Sequence, residues 1–514
     1  MMTVIRRYLW ETGRIGAARR SRLKEDSKRM GHYLGLDLGT SSLKALIVDE
    51  DQNPVATASA SLQVTRPAFG WSEQAPADWI AACESVLSQL QAEHPAALAS
   101  VRGIGLSGQM HGATLLDEAD EVLRPCILWN DTRSHEEADE LDDEEARGIT
   151  GNIVFPGFTA PKLLWVARNE PRIFDRVRRV LLPKDYLRLW LTGESVSDMS
   201  DAAGTAWLRT GERRWSSTML RRTRLSEAEM PRLVEGSEAS GALRPELARR
   251  WGLAEGVVVA GGGGDNAASA CGVGVTRPGT GFLSLGTSGV LFTASAGYDP
   301  VPDTALHTFC HALPGLWHQM GVTLSAAGSL EWLSGVLAQA PGDLVATAGA
   351  DLRAPGRLLF LPYLSGERTP HNDAAVRGAF IGLQADTTRA DMVRAVLEGV
   401  AFSIRDCLDA APHASWVRQL IAVGAGSRSE LWLKIMASVL ETPVALPAAG
   451  DFGAAFGAAR LGICAATGAD PDSVMTEPPI AARFEPDETL VESFAEAHNR
   501  YRSLYPALMA AGRG

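Results

Sequence analysis

The chain has 514 residues, 46% hydrophobic and 21% charged, with 49 Lys+Arg against 61 Asp+Glu and a formal net charge of −12. Such values exclude a disordered chain, a collagen-like repeat and a disulfide-stapled mini-protein, and the acid excess argues against nucleic-acid binding by phosphate neutralisation. At about 150 residues per domain the length suits two large domains or about three ordinary ones. The six cysteines (83, 126, 271, 310, 407 and 464) are sparse and scattered. They read as buried thiols in a reducing compartment, which points to a cytoplasmic protein.

In chain order, residues 1–30 stand apart, with nine Lys/Arg and three acids. No continuous apolar run follows, which disfavours a secretory signal. The segment reads as an N-terminal extension outside the fold, with a start of the domain near Met30. From Tyr33 to Asp49 the pattern is a strand, a tight turn centred on Gly39 and a second strand, with Asp37 at the end of the first strand. Helical spacing is expected over 77–94, strands over 101–106 and 113–116, an alternation of helix and strand over 171–191, and a β-branched strand over 257–260. Strands interleaved with helices predict α/β layers. The uncharged stretch 278–298 is long enough to span a bilayer, but glycines and hydroxyls interrupt it, so it is read as soluble.

A repeat emerges between strand–turn–strand units: Asp37-Leu-Gly-Thr-Ser-Ser42 echoes Ser284-Leu-Gly-Thr-Ser-Gly289. A spacing near half the chain suggests two similar domains facing one cleft rather than a solenoid. Gly39 and Gly286 are expected to allow a positive φ, so that the turns can present N–H groups to phosphate; Thr40, Ser41, Ser42, Thr287 and Ser288 add hydroxyls. A pair of ordinary hairpins is the plainer alternative, against which stands Asp37, an acid placed where a metal–phosphate would sit.

Competing motifs can be set aside. No G-x-x-x-x-G-K-[ST] sequence occurs. Gly103-Ile-Gly105-Leu-Ser-Gly108 matches G-x-G-x-x-G literally, yet another strand pattern follows where a dinucleotide fingerprint needs a helix. His307, Cys310 and His311 lack a fourth ligand at zinc spacing and read as buried or cleft side chains. More specific is Gly261-Gly-Gly-Gly264-Asp265-Asn266, directly after the 257–260 strand. Asp265 there could be a helix N-cap or a general base beside a cleft.

Together, Asp37-Leu-Gly-Thr-Ser-Ser42, Gly262-Gly-Gly-Asp265-Asn266 and Ser284-Leu-Gly-Thr-Ser-Gly289 resemble the FGGY carbohydrate kinases. Longer segments fit as well: Gly157-Phe-Thr-Ala-Pro-Lys162-Leu-Leu-Trp165-Val-Ala-Arg-Asn169, Gly378-Ala-Phe-Ile-Gly382-Leu383, Leu182-Pro-Lys-Asp-Tyr-Leu187 and Ser197-Asp-Met-Ser-Asp-Ala-Ala-Gly-Thr205. The resemblance covers about residues 33–461. It implies an α/β, two-domain, actin-like ATPase (ribonuclease H-like) fold with a central cleft. A sugar-binding domain is expected over 31–276 and a nucleotide-binding domain over 277–514.

The implied reaction is phosphoryl transfer from ATP, with Mg²⁺, to a small sugar; the matches favour D-xylulose, giving D-xylulose 5-phosphate. By the same resemblance Asp265 is the catalytic base and Asp37 acts on the metal–phosphate side, these two being the implied metal carboxylates. Met110, His111, Asp265 and Asn266 would contact the sugar, with Gln109 and Trp129 beside them. Thr40 and Ser41 would lie near the γ-phosphate, and Gly286 and Thr287 at the inner phosphates. Gly424, Gly426, Ser427 and Arg428 belong to an adenosine loop in which Ala425 replaces an expected glycine. A homodimer is a family expectation. Other readings are a family member acting on ribulose, a deoxyhexose, gluconate or glycerol, and a non-catalytic actin-like nucleotide switch. The Gln109-to-Gly112 and Trp129-to-Arg133 segments, which a switch does not need, argue against the last.

Overall fold

The computed structural model describes residues 31–448 and 453–512. The expected N-terminal extension, 1–30, lies outside them.

The first strand–turn–strand unit is the antiparallel pair His32–Leu38 and Ser42–Val48, continued by Pro54–Ser61. On its other side His32–Leu38 pairs in parallel with Val101–Gly108, which in turn pairs with Val258–Ala260 and with Gly263–Gly264. Ala239–Ala242 closes this seven-stranded sheet as an antiparallel edge.

The second half builds the same order again. Thr280–Leu285 pairs antiparallel with Gly289–Ser295 and in parallel with Gln419–Val423. Trp317–Thr323 extends the meander on one side, while Val444–Pro447 and the antiparallel Ile480–Phe484 complete the other. A further strand, His307–Cys310, brings this sheet also to seven. The six-residue sequence echo therefore marks the central strands of two sheets with equivalent neighbours. The stretch 278–298, read as soluble, is the hairpin at the centre of the second sheet. Among the described residues no helix is long and apolar enough to cross a membrane.

The central strands of the first sheet, His32–Leu38 and Val101–Gly108, are covered on both faces and are therefore largely apolar. Leu34, Leu36 and Leu38 alternate onto the face packed by Trp79, Cys83, Val86 and Leu90 of the helix Pro76–Glu93. The intervening Tyr33, Gly35 and Asp37 point the other way, toward the helix Ala454–Thr467. That helix comes from the second half of the chain yet packs on the first sheet. A Cβ on Gly35 would lie 1.8 Å from the Ala455 carbonyl oxygen, and one on Gly105 1.7 Å from that of Ala458. Gly103 and Gly105 of the G-x-G-x-x-G match thus serve backbone-to-backbone packing inside the strand Val101–Gly108, while Gly108 makes room for the Lys184 side chain.

Candidate active site

Asp37 and Asp265 converge at the C-terminal ends of parallel strands, where open α/β sheets place their ligands. In the strand register Asp37 is opposite Ser107 on one side, and Gly263 is opposite Ser107 on the other. The Ser107 hydroxyl donates to Asp37 Oδ1 at 2.9 Å. Asp265 opens the helix Asp265–Gly272, and its Oδ1 accepts from the Asn266 backbone N–H at 2.7 Å and from Asn266 Nδ2 at 3.0 Å. Asp265 is therefore not the N-cap of that helix; Gly264 occupies the cap position and offers no side chain. Burial, reinforced by the negative charge of Asp37, pushes the Asp265 carboxyl up to about 6, against the hydrogen bonds from Asn266. A carboxylate so tuned can take up a proton near neutral pH.

Met110 and His111 form the adjoining wall. Met110 packs so closely that a Cβ on Gly264 would meet its Sδ at 2.9 Å and one on Gly204 its Cε at 2.8 Å. His111 stacks on Phe158 with ring centroids 4.7 Å apart, and its Nδ1 is 2.6 Å from the Gly204 carbonyl oxygen. A carbonyl can only accept, so the proton sits on Nδ1 and Nε2 is left as an acceptor. Burial holds the ring neutral, at about 3, with the cations Lys162 and Arg368 also opposing its protonation. His111 takes a φ of 68°, an unusual left-handed conformation for histidine. Its carbonyl accepts from Lys162 Nζ at 2.8 Å and from the Thr159 hydroxyl at 3.2 Å, which fixes that turn.

Thr40, Gln109 and Trp129 come together in one hydrogen-bonded chain. Trp129 Nε1 donates to Thr40 Oγ1 at 3.0 Å, and that hydroxyl donates to Gln109 Oε1 at 3.1 Å. Gln109 Nε2 donates to Gln74 Oε1 at 2.9 Å. Gln109 is buried and stands behind the turn, while Trp129 is 44% exposed at its rim. The structure thus gives the Thr40 proton to Gln109 rather than leaving it for phosphate, and Ser41 is the exposed hydroxyl of the turn.

The other nucleotide candidates gather on the second sheet. Gly286 and Thr287 follow the strand Thr280–Leu285, and their carbonyls accept from Ala327 N and Ala326 N, each at 2.8 Å, at the start of the helix Ala327–Leu337. Neither Gly39 nor Gly286 adopts the positive φ expected of it. What Gly286 supplies is open space: the nearest atom to a Cβ there is the Ser288 carbonyl oxygen at 3.5 Å. The left-handed glycine is Gly424, φ 88°, at the entry to the short 3₁₀ turn Ala425–Arg428. A Cβ on Gly424 would fall 2.9 Å from the Leu285 backbone, so the Gly424 loop lies against the residue before Gly286. Ala425 sits in the 3₁₀ turn without a positive φ, which explains why alanine is tolerated there. Ser427 is buried, its hydroxyl donating to the Gly424 carbonyl at 2.7 Å, while Arg428 is exposed.

His307, Cys310 and His311 reach different partners: Arg368 Nη1 at 3.4 Å, the Thr210 carbonyl and the Val275 carbonyl. They form no metal cage, as their spacing indicated. Ser107 and Gln74 carry no local motif that singles them out; they matter through what the fold places beside them.

The N-terminal-domain model of the FGGY family of carbohydrate kinases matches residues 32–272, and the C-terminal-domain model of the same family matches residues 281–466. The chain belongs to the FGGY family of carbohydrate kinases. It is 46% identical to a xylulose kinase from Escherichia coli (strain K12) over 93% of this chain and 99% of that one. A crystal structure of a xyloylose kinase from Brucella ovis superposes with a TM-score of 0.92 at 62% identity, covering 93% of this chain and 100% of that chain. The xylulose kinase of Rhodospirillum rubrum gives a TM-score of 0.87 at 31% identity over 94% and 100% of the two chains. The FGGY assignment gives the two sheets a common meaning as halves of an actin-like ATPase fold, and the chain is a phosphotransferase of that family.

Proposed function

We propose that this FGGY kinase transfers the γ-phosphoryl group of ATP to D-xylulose, forming D-xylulose 5-phosphate in D-xylose catabolism in the cytoplasm. The observation that carries the reading is the Asp265 carboxyl. It is half-buried beside the Met110–His111 wall, raised to about 6, and therefore still a carboxylate at neutral pH while basic enough to accept a hydroxyl proton. Residues 31–276 form the sugar-binding domain and 277–514 the nucleotide-binding domain in this reading. Met110 gives the sugar an apolar wall, and His111 Nε2 and Asn266 offer hydrogen bonds.

Phosphoryl transfer asks a protein chiefly for positioning and charge neutralisation. Ser41 and the Gly286–Thr287 turn, with its open space, suit phosphate oxygens; the Gly424–Arg428 turn suits the nucleoside. The facing carboxylates of Asp37 and Asp265 are a hard-oxygen donor set that fits Mg²⁺, with Asp37 the principal holder. Bound there with ATP, the ion supplies neutralisation of phosphate charge. The relatives named xylulose kinase support D-xylulose over ribulose, deoxyhexoses, gluconate or glycerol. A coupled ADP-release assay across these acceptors tests it: a clear kcat/KM preference for D-xylulose is expected, and a preference for glycerol or ribulose overturns the substrate. Light scattering on the purified protein tests the homodimer expected from the family.

A further inference from the structure

Leu182-Pro-Lys-Asp-Tyr-Leu187 and Ser197-Asp-Met-Ser-Asp-Ala-Ala-Gly-Thr205 supply only the Gly204 carbonyl to the site described above, yet both lie behind the loop that carries Asp265. Lys184, near the start of the helix Pro183–Thr192, is fully buried, and its ammonium lies 2.6 Å from Asp185, 2.7 Å from Asp198 and 3.0 Å from Asp201, all equally buried. Burying so many charges is weak support for stability and calls for another explanation.

The hydrogen bonds supply one. Asp198 Oδ2 accepts from the Ser200 N–H at 2.8 Å and from the Ser200 hydroxyl at 2.5 Å. With its proton committed to Asp198, the Ser200 oxygen accepts from the Gly264 backbone N–H at 3.1 Å. On the preceding stretch, Arg188 donates to the carbonyls of Ala260 and Gly261 and to the Ser240 hydroxyl. Gly264 has no side chain by which packing could hold it, and Met110 leaves no room for one. The direction in which the helix Asp265–Gly272 begins is thus set by backbone hydrogen bonds, and it has no side-chain cap.

We propose that Ser200, fixed by Asp198 and Lys184, is a positioning residue of the phosphoryl-transfer reaction: through the Gly264 N–H it sets the aim of the Asp265 carboxylate at the sugar hydroxyl. The proposal rests on the reading of Asp265 as the base. Ser200 touches neither substrate, so its loss misplaces the base without removing a sugar contact. Misplacement of a reacting group by about 1 Å can cost about a hundredfold in rate.

The test is steady-state kinetics of Ser200→Ala with ATP and D-xylulose. Expected are a kcat lower by about 10- to 100-fold and a KM for the sugar within about threefold of the unaltered protein. Ser200→Thr, which keeps the hydroxyl, recovers most of the rate. Ser200→Cys keeps the volume but is a poor acceptor, and it serves if the alanine variant does not fold; it is expected to lose kcat as the alanine does. Native kcat in a folded Ala or Cys variant, even with a lowered Tm, shows a merely structural role and overturns the proposal. If the unaltered protein turns over another acceptor instead, the substrate reading fails, and the same comparison with that acceptor decides the role of Ser200.

Discussion

Asp37 and Asp265 come from distant parts of the chain, yet both stand at the same end of the strand Val101–Gly108: Asp37 is paired with Ser107, and Asp265 directly follows the Gly264 paired with Gly108. The charge on one is felt by the other, and it adds to burial in raising the Asp265 carboxyl to about 6. On the proposed reading, this relationship gives the reaction a base of suitable strength and a second carboxylate for the metal–phosphate side.

The base must be ionised to work. We expect kcat/KM for D-xylulose to fall about tenfold per pH unit below about 6 and to level off above it. Asp265→Asn keeps the shape and one hydrogen-bonding oxygen but loses the proton acceptor. Its kcat should drop by about 10² or more, with sugar affinity by calorimetry within about tenfold, or about 1.4 kcal/mol. A near-native kcat would show that Asp265 only positions the sugar.

The same carboxyl costs stability when it is ionised. Its folded pKa is raised from the ordinary carboxylate range to about 6, so the stability it contributes is complete below about pH 4 and is lost as pH rises through 6. Asp265→Asn removes that loss. In the absence of ligands the variant should be more stable than the parent at pH 7, by on the order of 2 to 3 kcal/mol, with the advantage vanishing near pH 4. Urea titrations at the two pH values measure it.

Asp37→Asn should act on the other side of the reaction. The prediction is a weakened dependence of rate on Mg²⁺, with sugar affinity retained. Rate measured against Mg²⁺ concentration checks this, and an unchanged Mg²⁺ response with lost sugar binding would relocate Asp37 to the sugar.

Open space at Gly286 makes it separable from folding. A Cβ there meets nothing closer than ordinary contact on the protein side, so Gly286→Val should leave Tm nearly unchanged while raising the KM for ATP by blocking approach of phosphate. Loss of sugar binding with ATP binding untouched would overturn the assignment.

Gly105→Ala is expected to behave in the opposite way. Its Cβ would sit 1.7 Å from the Ala458 carbonyl oxygen, between two backbones that cannot part cheaply. A destabilisation of about 3 kcal/mol or more follows. Gly148→Ala, on an exposed turn of the helix Glu144–Thr150 with nothing within 4 Å, should instead stabilise by about 0.5–1 kcal/mol. Denaturant midpoints of the two variants distinguish packing from propensity.

Local pattern was enough to determine the α/β class, the two strand–turn–strand units and the aspartate after the glycine run. Each is a short-range signal: alternation of apolar residues, a glycine-rich break, an acid at a strand end. The same locality explains the errors. The positive φ assigned to Gly39 and Gly286 assumed that glycine is present for its dihedral freedom, whereas the fold uses Gly286 for space and Gly35 and Gly105 for contact with a helix from the other half of the chain. An N-cap role for Asp265 was open in the sequence because both readings place an acid before a helix; the tertiary structure decided it by starting the helix at Asp265 itself. Nor could sequence order reveal that Thr40 gives its proton to Gln109, that Ser107 donates to Asp37, or that Ser200 holds Gly264. Those are contacts between segments far apart in the chain, and only the packing of strands and helices fixes their distances.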